Sequence, residues 1–80
     1  MNNLYIVWED NHGNLAITNS YEKAIDFLFD EEWIPIPCNT TEAEYRFYLK
    51  NCLTIEEFNE KMENEIGISV VKGKNGIYYL

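Results

Sequence analysis

At 80 residues, with fourteen acidic against six basic side chains and a formal net charge of −8, the chain reads as one acidic domain without room for a second. That charge argues against direct nucleic-acid binding, which rests on neutralising phosphates with Lys and Arg, and an apolar content of 46% rich in aromatics excludes intrinsic disorder. It suits solubility, because like charge keeps small domains apart, and it steers basic partners toward the surface.

The opening MNNLYIVWED has no basic n-region, and its short apolar run ends at Glu9. It reads as neither a signal peptide nor a membrane span, so the expected compartment is the cytoplasm. From Leu4 to Glu9 the residues alternate, with Leu4, Ile6 and Trp8 on one side and Tyr5 and Val7 on the other. DNHGN supplies turn residues, with Gly13 free to take positive φ. LAIT then resumes alternation, with Leu15 and Ile17 expected on one face, which predicts an N-terminal hairpin.

Asn19 and Glu22 have the N-cap and N3 spacing, so a first helix starts near Ser20. Tyr21, Ala24, Ile25, Leu28 and Phe29 form its core stripe, with Phe27 at the margin. WIPIPC ends it, since Pro35 and Pro37 bar helical hydrogen bonding and push Ile34 and Ile36 to extended geometry. Thr41 and Glu44 open a second helix whose inner face holds Tyr45, Tyr48, Leu49 and Cys52. Thr54 and Glu57 open a third, with Leu53 placed to staple onto Phe58. Its buried stripe is Ile55, Phe58, Met62 and Ile66, and Gly67 ends it.

In the closing ISVVKGKNGIYYL, Asn75-Gly76 is a type I′ hairpin signal followed by a strand from Ile77 to Leu80. The expected order is β-β-α-α-α-β-β: an α+β domain in which two hairpins join in one antiparallel sheet with helices on one face. Tyr5, Val7, Val71, Tyr78 and Leu80 are expected on the sheet face opposite Leu4, Ile6, Trp8, Val70, Ile77 and Tyr79. If helices cover one side only, an apolar patch remains for a partner or a second copy.

Catalytic signals are weak. The one histidine, His12, sits in a turn and reads as a solvated imidazole, and no Cys-His or Ser-His-Asp set is suggested by spacing. No metal-ligand spacing and no phosphate-binding glycine loop occurs, so no cofactor is expected, and a non-enzyme is the reading. Without a secretion signal, Cys38 and Cys52 are expected as reduced thiols rather than a disulfide.

Charge is the stronger signal. Glu22, Asp26 and Asp30 recur every four residues along helix one, and Glu31 and Glu32 prolong the run where the helix dipole disfavours anions. Glu56, Glu60 and Glu63 make a second row on helix three. Like charges at i,i+4 each cost about 0.2–0.5 kcal/mol; Lys23, and Lys61 paired with Glu57, offset only part of this. A solvated face and a recognition face are both compatible with this clustering. As a recognition face, the carboxylates imitate a line of phosphates and occupy an Arg/Lys groove built for nucleic acid. Phe47, flanked by Arg46 and Lys50, is the aromatic anchor candidate, with Tyr5 and Tyr78 beside it in rank.

In size, acidity, hairpins enclosing helices and lack of catalytic groups, the chain resembles small phage-encoded inhibitors of the anti-CRISPR, anti-restriction and host-takeover kind. Composition over the whole chain carries this resemblance; no residue motif does, so no functional residues transfer. It implies an acidic inhibitor acting in the host bacterial cytoplasm, with DNA mimicry as one mode. The implied partner is a basic nucleic-acid-handling protein such as a CRISPR nuclease or another defence protein. The alternatives are an acidic antitoxin or immunity protein against a basic toxic enzyme, and a homodimeric assembly module.

Overall fold

A computed structural model describes residues 3–74 of the chain. The alternating N-terminal segment forms β1 (Asn3–Glu9), turns through residues 10–12, and returns as β2 (Gly13–Thr18). Gly13 takes φ 76°, a region nearly closed to other residues, and so allows the tight return. Three helices follow: α1 (Tyr21–Asp30), α2 (Glu42–Asn51) and α3 (Ile55–Ile66). The chain then re-enters the sheet as β3 (Ile68–Lys74). The sheet is antiparallel in the order β2-β1-β3, so the first strand is central and the last described strand pairs with it. This is the expected α+β domain, with three strands among the described residues; Asn75-Gly76 and the strand expected from Ile77 to Leu80 lie outside them.

The helices form where their ends are satisfied. Ser20, one residue beyond the expected Asn19, caps α1 by accepting from the Lys23 amide at 3.1 Å. Thr41–Glu44 and Thr54–Glu57 are complete capping boxes. At the exit of α1 the Glu32 and Trp33 amides donate back to the Phe29 and Leu28 carbonyls, at 3.1 and 2.8 Å. That is a Schellman closure, and it places Glu32 at φ 61° where glycine is usual. Gly67 closes α3 at φ 69°, and a Cβ there would stand 2.9 Å from Asp10 Oδ2.

The core lies between the helices and one face of the sheet. Ala24, Ile25, Leu28, Leu49, Phe58 and Met62 meet Val7, Ile68 and Val70, all essentially inaccessible. Complete burial of a side chain such as Phe58 contributes about 1.5–3 kcal/mol. In the central strand Ile6 and Val7, which point to opposite faces, are both fully buried.

Two expectations about the faces are corrected. A β-bulge between Val7 and Trp8 pairs Val7 with Ala16 but Trp8 with Asn14, inserting Leu15 as an extra residue. Leu15 and Ala16 therefore both pack toward the helices, and Leu15 does not share a face with Ile17. In β3, Val70 lies opposite Val7 and Val71 opposite Ile6. Directly paired residues share a face, so Val70 joins Tyr5 and Val7 under the helices while Val71 joins Ile6 on the other side.

Candidate functional site

Helix α1 carries its acidic row where expected, but α2 engages it. From α2, Arg46 Nη1 donates to Asp26 Oδ1 at 2.9 Å and Nη2 to Asp30 Oδ1 at 3.4 Å, and Nη2 also bonds Glu42 one turn away on α2. The guanidinium carbon sits 4.9 Å from the Phe29 ring centroid, a cation–π distance. Lys50, one turn further along α2, places Nζ 2.6 Å from Asp26 Oδ1. The Lys50 ammonium holds the Asp26 carboxyl below its usual range, with Arg46 adding to this and partial burial opposing it. Asp26 and then Glu42 in turn hold Arg46 more firmly protonated than usual.

The spacing that looked costly for an isolated helix thus matches a second helix. Two carboxylates four residues apart on α1 receive two cations four residues apart on α2. The same seam is tied by Tyr21, whose hydroxyl donates to the Leu49 carbonyl at 3.0 Å. Glu22 and Glu31 of the expected row stay exposed, with no ion pair among the described residues.

The row on α3 is different. Glu56, Glu60 and Glu63 are all exposed, and among the described residues none has a cationic partner. Lys61 bonds Glu65 at 2.8 Å rather than the expected Glu57, whose carboxylate is committed to the Thr54 amide. Glu56 to Glu63 span about 10 Å along the helix at ~1.5 Å per residue. Helix α1 packs chiefly on α2, β1 and β2, and α3 on β3, while α1 and α3 meet in the core through Tyr21 and Phe58, whose rings stand edge to face with centroids 5.8 Å apart.

Among the aromatic candidates, Phe47 is 63% exposed on the outer side of α2, while the charged heads of Arg46 and Lys50 turn toward α1. Tyr5 is half-buried and packs against the core from the helix-facing side of β1. Tyr78 lies outside the described residues.

The reading of His12 as a merely solvated imidazole is corrected. Its Nδ1 donates to Glu9 Oε1 at 2.6 Å, and its ring stands edge-on to Trp33 with centroids 5.3 Å apart. Glu9, buried at the end of β1, also accepts from the Asn11 and His12 amides at 2.9 Å each. Chiefly through the His12 side chain, these bonds hold its carboxyl below the usual range against the cost of burial.

Cys38 and Cys52 are both free and exposed. Among the described residues no group of three or more His, Cys, Asp or Glu is arranged to hold a metal ion, and no helix is long and apolar enough to cross a membrane. The chain matches no protein-family model, no curated protein and no solved structure.

The roles of three further residues escaped the sequence reading. The matching four-residue spacing of Arg46 and Lys50 was a usable signal for their role on α1. Asn59 gave none: its amide donates to the Val70 carbonyl at 2.9 Å and accepts from the Val70 amide at 2.8 Å, a pairing only the fold creates.

Proposed function

We propose that this chain is an acidic protein-binding inhibitor that occupies a basic, nucleic-acid-binding site on its target. The target class is a bacterial nuclease or defence protein, and the chain acts in the cytoplasm without catalysis of its own. The observation that carries the reading is the division of the carboxylates into two kinds. Asp26 and Asp30 are used internally by Arg46 and Lys50, whereas Glu56, Glu60 and Glu63 line the exposed side of α3 without a cation among the described residues. In this reading α3 is the contact surface and α1 is scaffold, with Glu22 and Glu31 contributing only to the long-range field. The overall charge of −8 steers basic partners and speeds encounter.

The test is displacement of fluorescent duplex DNA from a panel of basic bacterial nucleases and repressors, followed by anisotropy. The protein displaces duplex from at least one of them, and added salt weakens the effect because exposed charge contacts are screened. The triple variant Glu56→Gln, Glu60→Gln, Glu63→Gln loses displacement while keeping its circular dichroism. Displacement that survives this triple substitution, or none across the panel, refutes the reading.

A further inference from the structure

The two edges of the sheet are treated differently. At β3, the Asn59 side chain fills both backbone hydrogen-bonding positions of Val70, standing where another strand would pair. Among the described residues β2 pairs with β1 alone, and no other backbone group bonds its residues from Gly13 to Ile17. Of the usual guards of an exposed edge, GNLAIT lacks lysine, proline and inward-pointing charge and carries only the bulge. The strand lies in the longest uncharged tract of the chain: residues 11–21 contain no Asp, Glu, Lys or Arg, although 25% of all residues are charged. Ile17, within that tract, is 48% exposed.

The bulge gives this edge a two-fold pattern. Asn14 and Ile17 lie opposite Trp8 and Ile6 and face away from the helices. Leu15 and Ala16 both pack toward the helices, and Gly13 and Thr18 lie opposite Glu9 and Tyr5 on that same side. From Gly13 to Thr18 the sides run helix, outer, helix, helix, outer, helix, which reads the same from either end. A strictly alternating strand paired with its own copy about the midpoint of two residues sets inner side chains against outer ones. Here the extra residue removes that conflict.

We propose that two copies of this chain pair antiparallel through β2, about a two-fold axis between Leu15 and Ala16. The two sheets then form one continuous sheet. Asn14 lies across from Ile17 of the partner subunit on the outer face, and Leu15 across from Ala16 of the partner subunit on the helix face. A second copy fits better than an unrelated strand because the pattern matches itself. The seam also passes through the longest segment where two acidic chains meet without charge. Closed two-fold dimers are the commonest soluble assembly.

Sedimentation equilibrium over a wide concentration range tests the pairing, with circular dichroism checking the fold of each variant; both substituted positions are exposed. The wild type reaches twice the 9.5 kDa monomer mass. The double variant Asn14→Glu, Ile17→Glu sets like charges across the seam twice and weakens self-association about tenfold or more. The variant Asn14→Lys, Ile17→Lys dissociates as well, even though it lowers the overall negative charge. The variant Asn14→Glu, Ile17→Lys, which sets opposite charges across the seam, restores the dimer. A wild type that stays monomeric throughout overturns the proposal. So does a dimer that survives both like-charge variants, or an opposite-charge variant that associates no better than they do.

Discussion

Replacing Glu32 with glycine should stabilise the protein, although it removes a side chain. Glu32 sits at φ 61° in the Schellman closure of α1. An L-residue with a Cβ carries about 1–2 kcal/mol of strain in that conformation. Glycine removes the strain but gives back about 0.4–1 kcal/mol through the greater freedom of the unfolded chain. Deleting a carboxylate beside Asp30 and Glu31 at the negative end of the helix dipole adds about 0.3–1 kcal/mol of relief. The hydrogen bonds from residues 32 and 33 back to Phe29 and Leu28 are backbone bonds and persist. The net gain is about 1 kcal/mol, or about 4–8 °C in Tm for a domain of this size. Urea and thermal unfolding of Glu32→Gly and Glu32→Gln, side by side, separate the two contributions, because glutamine removes the charge and keeps the Cβ. A glycine variant no more stable than the glutamine one refutes strain at Glu32.

Arg46→Ala should cost about 1–3 kcal/mol, summing a shared ion-pair network and a cation–π contact. A double-mutant cycle with Asp26→Asn should show coupling between the two positions in urea midpoints. Gly67→Ala should cost at least about 1–2 kcal/mol from its positive φ alone; Asp10→Ala should rescue only the part due to the 2.9 Å approach. For pH, the Glu9 carboxyl is held below its ordinary value of 4.5 in the folded protein, so its contribution is present above that value and is lost as pH falls through the lower, folded one. Asp26 and Glu44 shift in the same direction, and Glu9→Gln should make the urea midpoint less sensitive to acid than in the wild type.

What could be read from the chain was local. Capping boxes act over three residues and core stripes over a few turns, so Thr41–Glu44, Thr54–Glu57 and the buried face of α1 stand as expected. What escaped depends on partners far along the chain. The bulge at Leu15 is a mismatch between two strands, invisible in either strand alone. The side on which Val71 falls depends on its register against Ile6, which lies at the opposite end of the sequence. The acidic row on α1 was legible as a row, and the equal spacing of Arg46 and Lys50 hinted at its internal use, but nothing local set the two against each other, because Arg46 lies twenty residues beyond Asp26 in sequence. The same charge pattern serves packing or recognition, and only the position of the cations separates the two.

The Arg46 junction makes ionic strength act in opposite senses within one small protein. Dissolved ions shield guanidinium from carboxylate where α1 meets α2, and so loosen that junction. The same ions shield the glutamates of α3 from one another and ease the strain of their crowding. A melting temperature that hardly responds to salt would therefore record two responses of contrary sign, one at each helix.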